Sequence, residues 1–104
     1  MTAPKQDRQS ARRALRVPFI LQGHVMDGLR LKQIAEALNT SLPNAHRDME
    51  MLAEEGIAER IPGREDCWRL TPRIVQVSAA TGLEFAQEHE RIAEFQQRYS
   101  REPK

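Results

Sequence analysis

Apolar residues recur at helical spacing along most of this chain and change to a two-residue alternation in one short stretch. The clearest segment is LKQIAEAL, where Leu31, Ile34, Ala35 and Leu38 fall at i, i+3, i+4 and i+7 on one helix face. Asn39, Thr40 and Ser41 then break the pattern. Ser41 suits an N-cap, and Pro43 is tolerated in the first turn of the next helix. That helix is expected from Pro43 to Glu55, burying Ala45, Met49 and Leu52, with Gly56 as the residue just past its end. Upstream, a helix is expected from near Ser10, with Ala11, Ala14, Leu15, Ile20 and Leu21 as its apolar positions. Pro18 lies inside it and should kink it or mark its true start, because proline removes a backbone donor and clashes with the preceding turn. The Asp27-Gly28 pair signals a turn.

Downstream, Ile57–Ile61 and Cys67–Leu70 read as two strands, with Trp68 and Leu70 on one face and Arg69 on the other. Residues 62–66 make a polar hairpin tip between them. Thr71 is placed to cap a short helix opening with Pro72, and Gly82 should separate that helix from a last one running from Leu83 to about Ser100. The order is helix, helix, short turn, helix, two-stranded hairpin, helices. It predicts a mainly α fold with a small β-hairpin, a winged helix-turn-helix with an added C-terminal helix. The expected division is a basic arm over 1–9, the winged domain over 10–81 and the C-terminal helix over 82–104.

Charge adds a direction to this pattern. The whole chain of 104 residues carries a formal net charge of +1, but within residues 1–16 Lys5, Arg8, Arg12, Arg13 and Arg16 oppose only Asp7. A basic start of this kind can track phosphates, and Arg12 and Arg13 are its candidate contacts. The lone cysteine, Cys67, allows no internal disulfide and offers at most one metal ligand. No apolar run approaches the roughly 20 residues needed to span a bilayer, and the N-terminus lacks the apolar stretch of a secretory signal. A reducing, cytoplasmic setting is expected.

The second helix of the central pair carries the candidate chemistry. Its start exposes Asn44, His46, Arg47 and, by position, Asp48, while Ala45 and Met49 face inward. A helix of this kind enters a major groove about 12 Å wide, where arginine makes bidentate bonds to guanine and asparagine to adenine. Ser41, Pro43 and the helix N-terminus suit a phosphate. Arg64 at the hairpin tip and Arg60 or Arg69 on the strands are expected to reach backbone or minor groove, although Glu65 and Asp66 share that tip.

The stretch from Leu29 to Ser78 resembles the N-terminal winged helix of IclR-type bacterial transcription regulators. The matching pieces are L-x-x-I-A-x-A-L from Leu31, His46-Arg47 followed by L-x-E-E-G from Leu52, and W-R-L-T-P-R from Trp68. The resemblance implies operator binding by a dimer, with Asn44, His46 and Arg47 at reading positions. The chain departs from the family in carrying Pro43-Asn44-Ala45 where a Ser-Thr pair is usual, and Asp48 where an apolar residue is usual, which puts an acid near DNA or near a partner helix. Family members also carry a long effector-binding domain for which this sequence has no room, so no small-molecule effector and no cofactor are expected.

In the last helix Phe85, Ile92 and Tyr99 recur every seven residues, with His89 and Phe95 between them. That spacing resembles a coiled-coil seam and marks these five residues as candidate dimerisation contacts. A two-fold dimer would set two recognition helices about one turn of DNA apart. No glycine-rich phosphate loop, metal-ligand spacing or nucleophile motif appears, and His24, His46 and His89 are widely separated, so catalysis is not expected. The expectation is a sequence-specific regulator of double-stranded DNA, repressing by occlusion as a dimer. The alternative is a winged-helix adaptor that binds proteins, a reading compatible with Asp48, Glu50, Glu54 and Glu55 along the same helix.

Overall fold

Among the described residues, seven elements form in the order α1 (Lys5–Leu21), β1 (Leu29–Arg30), α2 (Leu31–Leu38), α3 (Leu42–Glu54), β2 (Ala58–Ile61), β3 (Arg64–Leu70) and α4 (Pro72–Ser100). They come from a computed structural model that describes residues 5–100, with side chains from Arg8 onward. The first four residues of the expected arm and the last four of the expected C-terminal helix lie outside the described residues. Four helices and a small antiparallel sheet make the winged helix-turn-helix that the pattern predicts.

The turn between α2 and α3 is fixed by local chemistry. Asn39 closes α2 in the left-handed conformation (φ 55°, ψ 50°), one that asparagine tolerates better than most residues. The Thr40 N–H then donates to the Ala35 carbonyl at 3.0 Å. One residue on, the Ser41 hydroxyl accepts from the Asn44 N–H at 3.2 Å, capping α3. Ala35 is buried, as expected of the small residue that lets the two helices approach.

α1 differs from the expectation in three ways. It starts at Lys5, so residues 5–9 of the expected arm are helical. Pro18 neither starts nor ends it and sits within its last turn. There the proline costs about 3 kcal/mol, offset by burial of Val17 and Leu21, each worth roughly 1.5–3 kcal/mol. The buried stripe is Ala14, Val17 and Leu21, at i, i+3 and i+7, whereas Leu15 is 70% exposed. Leu15 lies about 100° round the helix from Ala14 and cannot share its face.

These side chains meet Ile34 and Leu38 of α2, Met49 and Leu52 of α3, Ala58, and Trp68 of β3 in one core. The sheet has the order β1-β3-β2, a third strand beyond the expected hairpin. Leu29 pairs with Trp68 and Arg30 with Cys67. Gly28 permits this approach: it has φ +70°, and a Cβ there would stand 2.8 Å from the Trp68 carbonyl oxygen. The hairpin tip is shorter than expected, because β3 begins at Arg64 and Ile61 pairs with Arg64 across Pro62 and Gly63.

Thr71 caps α4 as expected, accepting from the Ile74 N–H at 3.4 Å while donating to the Gly56 carbonyl at 2.6 Å. Gly82, however, does not divide the helix, which runs unbroken from Pro72 to Ser100. One interior glycine costs about 1 kcal/mol, and its neighbours Ala79, Ala80, Leu83 and Glu84 are good helix formers. The chain separates into two compact units between Ile74 and Val75. Within the second unit no described residue is buried, and Phe85, Ile92, Phe95 and Tyr99 are each more than half exposed. Phe95 and Tyr99 stack at 4.6 Å between ring centroids.

Candidate nucleic-acid interface

The exposed face of α3 follows from which of its residues the core takes. Ala45, Met49 and Leu52 are buried, so Pro43, His46, Arg47 and Glu50 point outward. The Arg47 guanidinium donates to the Asn44 side-chain oxygen, and the Asn44 amide donates to the Thr40 hydroxyl at 3.1 Å. Thr40, Asn44 and Arg47 therefore form a hydrogen-bonded chain from the turn onto the helix. The Ser41 cap and Pro43 in the first turn lie at the positive end of the α3 dipole.

His46 engages Glu50 one turn further on, at 3.3 Å. Glu50 also accepts from Arg60 of β2 at 2.9 Å, and the Arg60 guanidinium lies 4.5 Å from the centre of the Trp68 ring. α3 and the wing are thus tied by His46, Glu50, Arg60 and Trp68. A cation over an indole face contributes about 0.5–1 kcal/mol where water reaches it. Sequence reasoning left out this link, and also missed Leu42 and Met51, exposed apolar residues of the same helix. For Met51 the signal is spacing: Pro43, Arg47, Glu50 and Met51 share one side of a 3.6-residue helix.

Two of the arginines expected to contact DNA are paired with acids within the fold. Arg13 is not free for phosphates: its guanidinium binds Asp48 through both Nε and Nη2, the second bond at 3.1 Å. The side chains are only 15% and 6% exposed. The hydrogen bond to Asp48, reinforced by its charge, raises the Arg13 pKa above its ordinary value against the opposing effect of burial. Asp48 accordingly lies on the buried stripe of α3, three residues after Ala45 and four before Leu52, and not on the exposed face. Arg69 is likewise engaged, donating to Glu59 across the strands at 2.8 Å in a half-buried pair.

The wing is folded back. Arg64 donates to the Asp27 carbonyl at 2.9 Å, which draws it toward the loop before β1. Glu65 accepts weakly from the Gly63 N–H at 3.4 Å, and Asp66 lies 3.8 Å from Arg30. Arg12 is exposed on α1, beside a groove that also includes Arg16, Asn39, Thr40 and Asn44. The structure therefore brings Ser41, Pro43, Asn44, His46 and Arg47 onto one helix end with Arg12 nearby, and leaves Arg13 and Arg69 in internal pairs. The five candidate dimerisation residues Phe85, His89, Ile92, Phe95 and Tyr99 are all exposed on α4.

The IclR helix-turn-helix domain model matches residues 10–62, just over half of the chain. No curated protein matches the sequence. Among solved structures, an apo double mutant of ZitR from Lactococcus lactis is similar with a TM-score of 0.53 at 20% identity, over 91% of this chain and 70% of that one. A MarR family transcription regulator, SP03579, is similar with a TM-score of 0.44 at 22% identity, over 89% of this chain and 64% of that one.

Proposed function

The chain belongs to the IclR helix-turn-helix family, whose members are DNA-binding transcription regulators and not enzymes, and from that premise we propose that it reads a specific duplex sequence with α3 and represses transcription by occupying its site as a dimer. The observation that carries this reading is the start of α3. Arg47, His46 and Asn44 project from a capped helix N-terminus whose opposite face is wholly taken by the core. Arg47 is the guanine reader, a bidentate contact worth about 1–3 kcal/mol of discrimination. Asn44 serves adenine once it exchanges its bonds to Thr40 and Arg47 for a base edge. Ser41 and Pro43 place the helix dipole against a phosphate.

Arg64 supplies a wing contact by releasing the Asp27 carbonyl. The second copy is held by the exposed seven-residue repeat of α4, Phe85, Ile92 and Tyr99, with His89 and Phe95 beside it. Occlusion of a promoter needs nothing more than occupancy, and no small-molecule effector is required for it.

Selection of bound duplexes from a randomised library, at moderate salt, tests the proposal. Recovery of a two-fold symmetric motif supports it. Sequence-independent binding, or capture of proteins with no binding to duplex DNA, would favour an adaptor role.

A further inference from the structure

Residues 8–26 contain four arginines and no acid. Arg8, Arg12 and Arg16 stand at i, i+4 and i+8 of α1 and are all exposed, so their side chains share one face. At 1.5 Å of rise per residue they make a basic stripe roughly 12 Å long. The fourth, Arg13, is withdrawn by Asp48. That pairing neutralises the α3 acid beneath the surface and fastens α1 against α3.

The stripe borders an open groove of about 790 Å³, whose walls are Arg12 and Arg16 on one side and Asn39, Thr40 and Asn44 on the other. Among the described residues, the ion pairs engage other arginines and leave Arg12 and Arg16 without an acidic partner. The groove is continuous with the reading helix, because Asn44 belongs to both: it bonds Thr40 in the groove at 3.1 Å and receives Arg47 from the helix face.

We infer that this groove is a second DNA contact, a clamp on the sugar-phosphate backbone of one strand flanking the bases read by α3. Guanidinium groups bind phosphate through two parallel N–H bonds. The Thr40 hydroxyl adds a neutral donor. One DNA strand places a charge every 3.4 Å of axis, so a stripe of roughly 12 Å spans about three phosphates. The contact positions the protein without reading sequence.

The inference rests on the reading of α3 as a DNA reader, and the test separates the two. The full chain and the variants Arg12→Gln, Arg16→Gln and Arg12→Gln/Arg16→Gln are titrated against the selected duplex over a range of salt, with thermal melts as the folding control. The slope of log K against log salt should fall by about 0.9 for each arginine removed. Phosphate-ethylation interference on one flank should disappear in the double variant, while the preference for the selected sequence over random duplex persists. An unchanged slope and an unchanged interference pattern in the double variant overturn the clamp, even where Arg47→Ala abolishes sequence preference. A wild-type chain with no salt-sensitive duplex binding overturns both readings. Inorganic phosphate bound in the groove, and lost in the double variant while the DNA slope stays the same, also overturns the clamp.

Discussion

Replacing Asp48 by leucine should destabilise the winged domain far more than the removal of one hydrogen bond suggests. The substitution suits the apolar stripe of α3, where Asp48 stands between Ala45 and Leu52. It leaves the Arg13 guanidinium without its carboxylate in a site where that side chain is 15% exposed. Breaking a buried ion pair from one side costs about 3–5 kcal/mol, whereas replacing both partners by apolar groups is close to neutral or stabilising. The partial exposure of Arg13 places the cost at the lower end, about 3 kcal/mol. For a domain of this size that is a loss of roughly 12–24 °C in Tm. The double variant Arg13→Met/Asp48→Leu should recover to within about 1 kcal/mol of wild type. Thermal denaturation of wild type, both singles and the double, at one protein concentration, measures the coupling. Additive losses in the double variant, or a wild-type Tm in Asp48→Leu because Arg13 swings into water, would refute this reasoning. The pH dependence follows from the raised Arg13 pKa. Protonated Arg13 contributes fully below its unfolded value, which lies far above neutral pH, and loses that contribution only as pH rises through the still higher folded value. Near neutral pH the difference between wild type and Arg13→Met should therefore not vary through ionisation of Arg13.

Gly28→Ala should cost about 1–3 kcal/mol, because it combines a positive φ with a Cβ forced onto the Trp68 carbonyl; urea denaturation would show it, and a neutral result would mean that β1 need not pair with β3. Ile92→Glu, at the centre of the seven-residue repeat on α4, should convert a dimer to a monomer in sedimentation and weaken DNA binding with little change in the melting of the winged domain. A variant that stays dimeric would remove α4 from the interface.

The central part of this fold was legible in the sequence because its signals are local. The i, i+3, i+4, i+7 spacing of Leu31 to Leu38, the Ser41 cap, and Gly56 beyond α3 act within a turn of the residues they organise. β1 was not legible: two residues carry no periodicity, and Leu29 and Arg30 become a strand only by pairing with Trp68 and Cys67. Gly28 held the one hint, a glycine where another backbone passes close. The face of α1 was ambiguous because Leu15 and Phe19 are as apolar as Val17 and Leu21, and Pro18 disguises the register. The partnership of Arg13 with Asp48 joins residues far apart in the chain; in the sequence Asp48 stood out only as an acid where the similar family carries an apolar residue, and it was placed on the exposed side. A buried charge calls for an opposite partner, and Arg13 was among the cations available. On α3 the outward positions of His46 and Arg47 were legible from spacing alone, while the link from His46 through Glu50 and Arg60 to Trp68 depends on how the wing folds back.

If α3 reads base sequence through Arg47, the most direct measurement is the same randomised-duplex selection run in parallel on wild type and Arg47→Ala. Wild type should return a defined motif. The variant should lose guanine preference at one position in each half-site, with the fold and salt-dependent binding retained. An identical motif from both proteins would contradict the role of Arg47 as the reader.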